Sequence, residues 1–279
     1  ITVMSVKIKF LNKIIAILLL VWSLMILMVT YVVIHENYSY ANKLVKQEAL
    51  INIKKDLAYR SWGSSHGGVY VPITKRTPPN PYLAHLKNRD VVTNDNQKLT
   101  LMNPAYMITE MMKDYSELYG LKGHITSLKL TNPKNKPDEW EYKALKEIDK
   151  HKKPISEKTF IKGKEYFRYI NPLVTEESCL KCHSYQGYKV GDIRGAVSIA
   201  IPMKGYYKEA YKLSLMNGII AFFVWLIGLS VILLGGKKAK DIIDEKLKYY
   251  EQNIYSLVNI VERRDSYTAG HSTRIAEYS

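Results

Sequence analysis

Cysteine is nearly absent, with two residues in a chain of 279. That count excludes a disulfide-rich scaffold. Glycine and proline are sparse, at 15 and 10, so the chain is neither collagen-like nor low-complexity. Hydrophobic residues make up 47% and charged residues 24%, which excludes a disordered chain. Acidic residues are the short side of the charge balance: 26 Asp and Glu against 41 Lys and Arg, a formal charge of +15. Such an excess can mark a nucleic-acid binder. Two long apolar runs argue for a membrane protein instead, and no nucleic-acid partner is expected.

Residues 14–34 and 213–234 carry no charged side chain. Each is long enough for the roughly 20 residues that span a bilayer core. The first run is too long for the apolar part of a cleaved signal, and no A-x-A site follows it. Lys7, Lys9 and Lys13 precede the first run, and Lys237, Lys238 and Lys240 follow the second. Basic flanks stay in the cytoplasm, so 1–13 and the chain after 234 are expected inside and 35–212 outside. Long translocated domains do not obey the charge rule, so the basic character of 35–212 does not argue against this topology.

The outer segment predicts helix continuing from the membrane to about Leu57, then loop with short strands over 58–100, where Gly, Pro and Asn gather. Asn103-Pro104 predicts a capped helix start, with an apolar face at Ile108, Met111, Met112, Tyr115 and Leu118 and a stop at Gly120. A second helix is expected from near Pro137-Asp138-Glu139, with Trp140, Ala144, Leu145 and Ile148 on one side. Residues 159–161 and 166–170 flank Lys162-Gly163-Lys164-Glu165 as a hairpin. Val197, Ile199 and Ile201 alternate with small residues as a half-buried strand. This order of elements predicts an α+β domain on an antiparallel sheet.

Cys179-Leu180-Lys181-Cys182-His183 is the chemically informative segment. C-x-x-C-H is the signature of c-type haem attachment. Two thiols at this spacing can each bond one haem vinyl group, and the adjoining histidine then stands under the iron as a ligand. A zinc site would want two more Cys or His ligands nearby, and a redox pair would want a thioredoxin-like βαβ context; neither is present in the sequence. Candidates for the sixth iron position are His66, His85, His124 and His151, or Met102, Met107, Met111, Met112 and Met203. His66 is favoured because Gly67 and Gly68 would allow close approach of a planar group. An open sixth position for a gas is the alternative.

Several further stretches surround this motif: Tyr59-Arg60-Ser61-Trp62, His66-Gly67-Gly68-Val69-Tyr70-Val71-Pro72, Pro79-Asn80-Pro81-Tyr82-Leu83, Leu99 to Met107, His124 to Leu128, Asn132 to Glu141, and Gly191-Asp192-Ile193-Arg194-Gly195. With them the segment 55–202 resembles the haem-binding, PAS-like periplasmic sensor family found at the front of bacterial histidine kinases, diguanylate cyclases and phosphodiesterases. The resemblance implies a PAS-like fold with covalently attached haem c. It does not settle the stimulus.

Beyond the second span, Ile243, Leu247, Tyr250, Ile254, Leu257 and Val261 repeat at intervals of four and three. That is an a/d seam, and it predicts a parallel coiled-coil homodimer over 235–262. Residues 263–279 resemble the opening of the HD-GYP domain, a metal-dependent phosphodiesterase of cyclic di-GMP. By that resemblance His271 is the first metal ligand, and Tyr267 stands where a third-metal Glu occurs in some members, which implies a two-metal type with a divalent pair such as Fe or Mn. The sequence reads as a fragment whose output domain is cut off, so no catalytic residues are expected within it.

The expected molecule is a sensor in the bacterial inner membrane. Its order is a cytoplasmic 1–13, a span at 14–34, a periplasmic PAS-like haem domain at 35–212, a span at 213–234, a coiled-coil linker at 235–262 and an HD-GYP start at 263–279. The rival expectations are a membrane-anchored monohaem electron-transfer cytochrome and a haem-free small-molecule sensor.

Overall fold

The computed structural model describes residues 2–264. It divides into two units: Asn37–Tyr211 forms one, and the segments on either side of it form the other. His271 and the rest of the HD-GYP-like stretch lie outside the described residues.

The first helix, α1 (Thr2–Ser65), is unbroken. Neither Gly nor Pro occurs before Gly63, so nothing in the sequence interrupts it. The expected loop therefore begins later than residue 58. The stop comes at Gly67 and Gly68, with φ of 79° and 100°. The Gly68 N–H donates to the Gly63 carbonyl at 2.8 Å and the Gly67 N–H to Ser64 at 3.1 Å. That pair of bonds is a Schellman closure, and the left-handed C′ residue it requires is a glycine.

A small antiparallel sheet follows, in the order β1 (Val69–Pro72), β3 (Lys98–Met102), β2 (Asp90–Val92). Next comes α2 (Pro104–Asp114), capped by Asn103, whose side chain accepts the Tyr106 N–H. The apolar pattern predicts one helix as far as Gly120. Instead Tyr115 leaves the helical region at φ −119° and ψ 19°, and a separate turn, α3 (Ser116–Tyr119), turns Leu118 out to solvent.

The main sheet is antiparallel in the order β4 (Lys122–Thr126), β7 (Ile193–Pro202), β6 (Lys164–Val174), β5 (Ile155–Ile161). The β5–β6 turn is Lys162-Gly163, both at positive φ, as a two-residue hairpin demands. The helix α4 (Glu139–His151) starts with a reciprocal capping box between Asp138 and Glu141. It covers one face of the sheet through Ala144, Leu145 and Ile148, packed on Ile170 and Ala196. The other face meets α1 and α2: Val45, Ala49, Ile53, Ile108 and Met112 pack on Phe167, Tyr169, Val197, Ile199 and Ile201.

The strand expected to be half-buried is thus buried on both sides from Gly195 to Ile201. Ala196, Ser198 and Ala200 read as a solvent face, but small side chains are what allow α4 to lie close on that side. The fold is α+β.

The final helix, α6 (Lys204–Arg264), begins just after β7. Both α1 and α6 are long and apolar enough to cross a membrane. In the flanking unit they touch: the Trp22 indole donates to the Trp225 carbonyl at 3.2 Å, and the Trp225 indole to Ser23 Oγ at 3.0 Å. Gly228 faces Trp22 so closely that a Cβ there would lie 2.1 Å from the ring. A small residue of this kind is what lets apolar helices approach. Farther along α6, Tyr250, Ile254, Leu257 and Val261 of the proposed seam are exposed in the single chain.

Candidate functional site

The cysteine motif lies on an excursion between two neighbouring strands. β6 ends in a bulge at Leu173 and Val174. The chain then forms α5 (Glu177–His183) and a 3-10 turn, Ser184–Gln186, before returning as β7. The neck of the excursion is closed by two backbone bonds, Thr175 N–H to Asp192 at 2.8 Å and Gly191 N–H to Thr175 at 2.9 Å. Lys152 adds its ammonium to the Gly191 carbonyl at 3.1 Å. A loop pinned at its base this way can present side chains on a fixed frame.

Cys179 and Cys182 share α5 with His183. Cys179 is buried, and its sulfur accepts from the Glu176 N–H at 3.5 Å and from the Arg60 guanidinium at 3.8 Å. Arg60 comes from the last turns of α1. Ser64, one turn on, meets Ser178 through their hydroxyls at 2.9 Å. The end of α1 is therefore fastened to the helix that carries the cysteines.

His183 has both ring nitrogens engaged. Nε2 accepts from the Arg194 guanidinium at 2.9 Å. Arginine has no acceptor to offer, so the ring proton is on Nδ1. From there it is donated to Gln186 Oε1 at 2.6 Å. The orientation of the Gln186 amide is set in turn by its donation to Thr131 Oγ1 at 3.0 Å. Burial first, and the Arg194 charge second, push the imidazole down from 6.5 to about 4. At neutral pH the ring is uncharged, with its lone pair on Nε2. A neutral imidazole whose second nitrogen donates to a fixed acceptor is the form in which histidine ligates a metal.

His183, Gln186 and Arg194 line a cleft of about 650 Å³ between α2, β4 and the 78–83 segment. That volume falls within the range of cofactor sites. Lys113, Lys129, Lys134 and Arg194 also line it, against the single carboxylate of Glu110. The cleft is thus a cationic pocket with apolar stretches at Leu83, Met112 and Leu173.

His66 is the C-cap of α1. Its Nδ1 lies 2.8 Å from the Trp62 carbonyl, and its ring packs on the Trp62 indole at 4.7 Å. The glycines beside it close the helix, which accounts for them without a ligand. His85, in contrast, packs on Tyr185 at 4.9 Å. His151 is exposed on α4 beside Glu147, while Met112 and Met203 belong to the buried core. Among the described residues, no three His, Cys, Asp or Glu side chains form a self-contained metal cluster.

Sequence reasoning passed over Gln186, Thr131 and Arg194 as a supporting shell. The Gln three residues after His183 was a local signal that could have been used. The other two come together only through the fold.

These elements define a class: an α+β domain between two helices long enough to cross a membrane, with a C-x-x-C-H excursion opening on a cationic cleft. The chain belongs to the Tll0287-like family, whose sequence model matches residues 37–202. The crystal structure of the cyanobacterial haem protein Tll0287 is similar at 18% identity, over 58% of this chain and 95% of that one, with a TM-score of 0.38. No curated protein matches the chain.

Proposed function

We propose that this protein is a membrane-anchored sensor whose periplasmic, PAS-like domain binds haem c through Cys179, Cys182 and His183. The observation that carries the reading is the state of His183. Its ring is neutral, its Nδ1 proton is held by Gln186, and its Nε2 lone pair is met by the positive charge of Arg194. The guanidinium occupies the position of a Lewis acid at that nitrogen.

The remaining residues fit the group. A haem carries two propionates, and the cleft offers Lys113, Lys129 and Lys134 to offset them. Its apolar walls suit a porphyrin face. The family takes its name from a haem protein. Of the sixth-ligand candidates, His85 is the better supported, because its ring reaches the cluster around Tyr185 whereas His66 is engaged with Trp62.

Bound in this cleft, the haem would supply an iron that changes oxidation state or takes up a small gas. The protein's own groups would set its response. Gln186 would hold the ligand ring, and the lysines would bind the propionates.

The chain then continues from β7 into α6, where the exposed seam residues Tyr250, Ile254, Leu257 and Val261 support a homodimeric coiled coil. The output we assign is an HD-GYP phosphodiesterase of cyclic di-GMP, with His271 as its first metal ligand. That assignment rests on the sequence resemblance alone.

The test is a haem-stained denaturing gel of exported protein. A stained band that disappears in Cys179→Ala plus Cys182→Ala is expected. A band that survives the double substitution refutes covalent attachment at these residues. Reporters fused after residues 100 and 245 should be active only in their periplasmic and cytoplasmic forms, respectively. The reverse pattern contradicts the topology.

A further inference from the structure

A second histidine lines the same cleft and has no part in the reading above. His124 stands in β4, opposite Ser198 of β7. Its Nδ1 donates to Glu141 Oε2 at 2.9 Å. Glu141 is only 3% exposed. Its carboxylate also accepts the Asp138 N–H at 3.1 Å and the Arg168 guanidinium at 3.2 Å. Arg168 is itself buried, bonds Asp138 at 2.7 Å and lies over the Trp140 ring at 4.2 Å. A chain of charge thus runs from the interior of the sheet to the cleft wall and ends on a ring open to the cleft.

The charges decide what that ring does. Arg168 contributes one positive charge, and Glu141 and Asp138 contribute two negative ones. With a neutral His124 the group carries a net negative charge in a largely buried place. With a protonated His124 it is balanced. The backbone of Lys134 provides a further hydrogen bond that favours the protonated ring. Other charged residues line the same cleft: Lys113 and Glu110 from α2, Lys129, Lys134 from the 132–136 segment, and Arg194 beside His183. Most of those are positive. Removing one positive charge from the cleft shifts the balance toward proton uptake.

We propose that His124 is a proton-binding site that couples the redox state of the cleft to pH. This rests on the haem reading and goes beyond it. Were an external one-electron donor to reduce ferric to ferrous iron there, the cleft would lose one positive charge. One proton from a hydronium ion would then add to the second ring nitrogen of His124 and restore it. One O–H bond of hydronium would break as that N–H bond forms, and water would be released. The sensor therefore reads reduction and acidity jointly. Reduction is favoured at low pH and opposed at high pH.

The experiment is a spectroelectrochemical titration of the full-length, haem-loaded protein in detergent between pH 5 and 9. Across a window near or above neutrality the midpoint potential should fall with rising pH. Its slope should approach about 59 mV per unit, the tenfold change in proton activity converted for one electron. His124→Gln keeps an amide donor for Glu141 and should flatten the slope. Glu141→Gln removes the buried negative charge and should move the window to lower pH. A flat wild-type profile, or a slope unchanged in His124→Gln, overturns the coupling while leaving the haem intact. A protein that holds no haem overturns both this inference and the reading it rests on.

Discussion

His183 and His124 line one cleft, yet their neighbours treat them oppositely. His183 sits on a short helix in an excursion from the sheet, with a guanidinium against Nε2 and a neutral amide at Nδ1. His124 sits in a strand of the sheet, bonded to a buried carboxylate. The first ring is driven down by burial and Arg194. The second is driven up, chiefly by its hydrogen bond to Glu141, against the opposing effect of burial. Burial thus acts in the same direction on both rings, and the sign of the nearest charge separates them. A ring kept neutral suits a ligand, and a ring kept near its protonated form suits a proton store.

The largest break in this comparison is His183→Ala. It removes the imidazole proposed as the haem ligand, and the absorption bands of the haem-loaded protein should shift. Unchanged bands would mean that His183 is not the ligand.

Arg168→Ala attacks the other side. It leaves Glu141 buried with one cationic partner fewer, and breaking a buried pair costs about 3–5 kcal/mol. Chemical denaturation of the haem-free protein should show a loss of that order. A loss below about 1 kcal/mol, the scale of an exposed pair, would mean that the network is solvated.

The pH dependence of stability sharpens the contrast. For His183 the folded value lies below the unfolded one. Below about 6.5 the unfolded chain therefore binds a proton that the folded chain refuses, and stability falls as pH drops from 6.5 toward about 4. For His124 the folded value is raised, so its contribution is complete below 6.5 and is lost as pH rises through the folded value. Melting of the haem-free protein should show both slopes. His183→Gln should remove the acid-side slope and His124→Gln the other.

The smallest effect belongs to Gln186→Ala, which deletes one hydrogen bond worth about 1 kcal/mol. It should still loosen the orientation of the His183 ring, and in the haem-loaded protein resonance Raman should show a shifted iron–histidine stretch. An unchanged stretch would make Gln186 a packing residue only.

The sequence carried the local parts of this picture well. The Asn103 cap, the helix start near Asp138, the hairpin signal at 162–165 and the C-x-x-C-H run are all encoded within a few residues of each other. What it hid was long-range. Small residues at 196, 198 and 200 read as a wet face because the helix that covers them lies some fifty residues earlier. Gly67 and Gly68 read as room for a ligand because their helix-closing bonds depend on α1 continuing beyond residue 57. His124, Glu141 and Arg168 come from three separate elements, and no spacing rule links them. Arg194 reaches His183 only because the excursion folds back on β7.

The most direct test of the opposite tuning is histidine hydrogen-exchange mass spectrometry of the full-length, haem-free protein across pH 3–9. It follows each ring separately in one sample. The account predicts a midpoint for His183 near 4 and one for His124 above 6.5. Two midpoints that coincide near 6.5, or that appear in the reverse order, would contradict it.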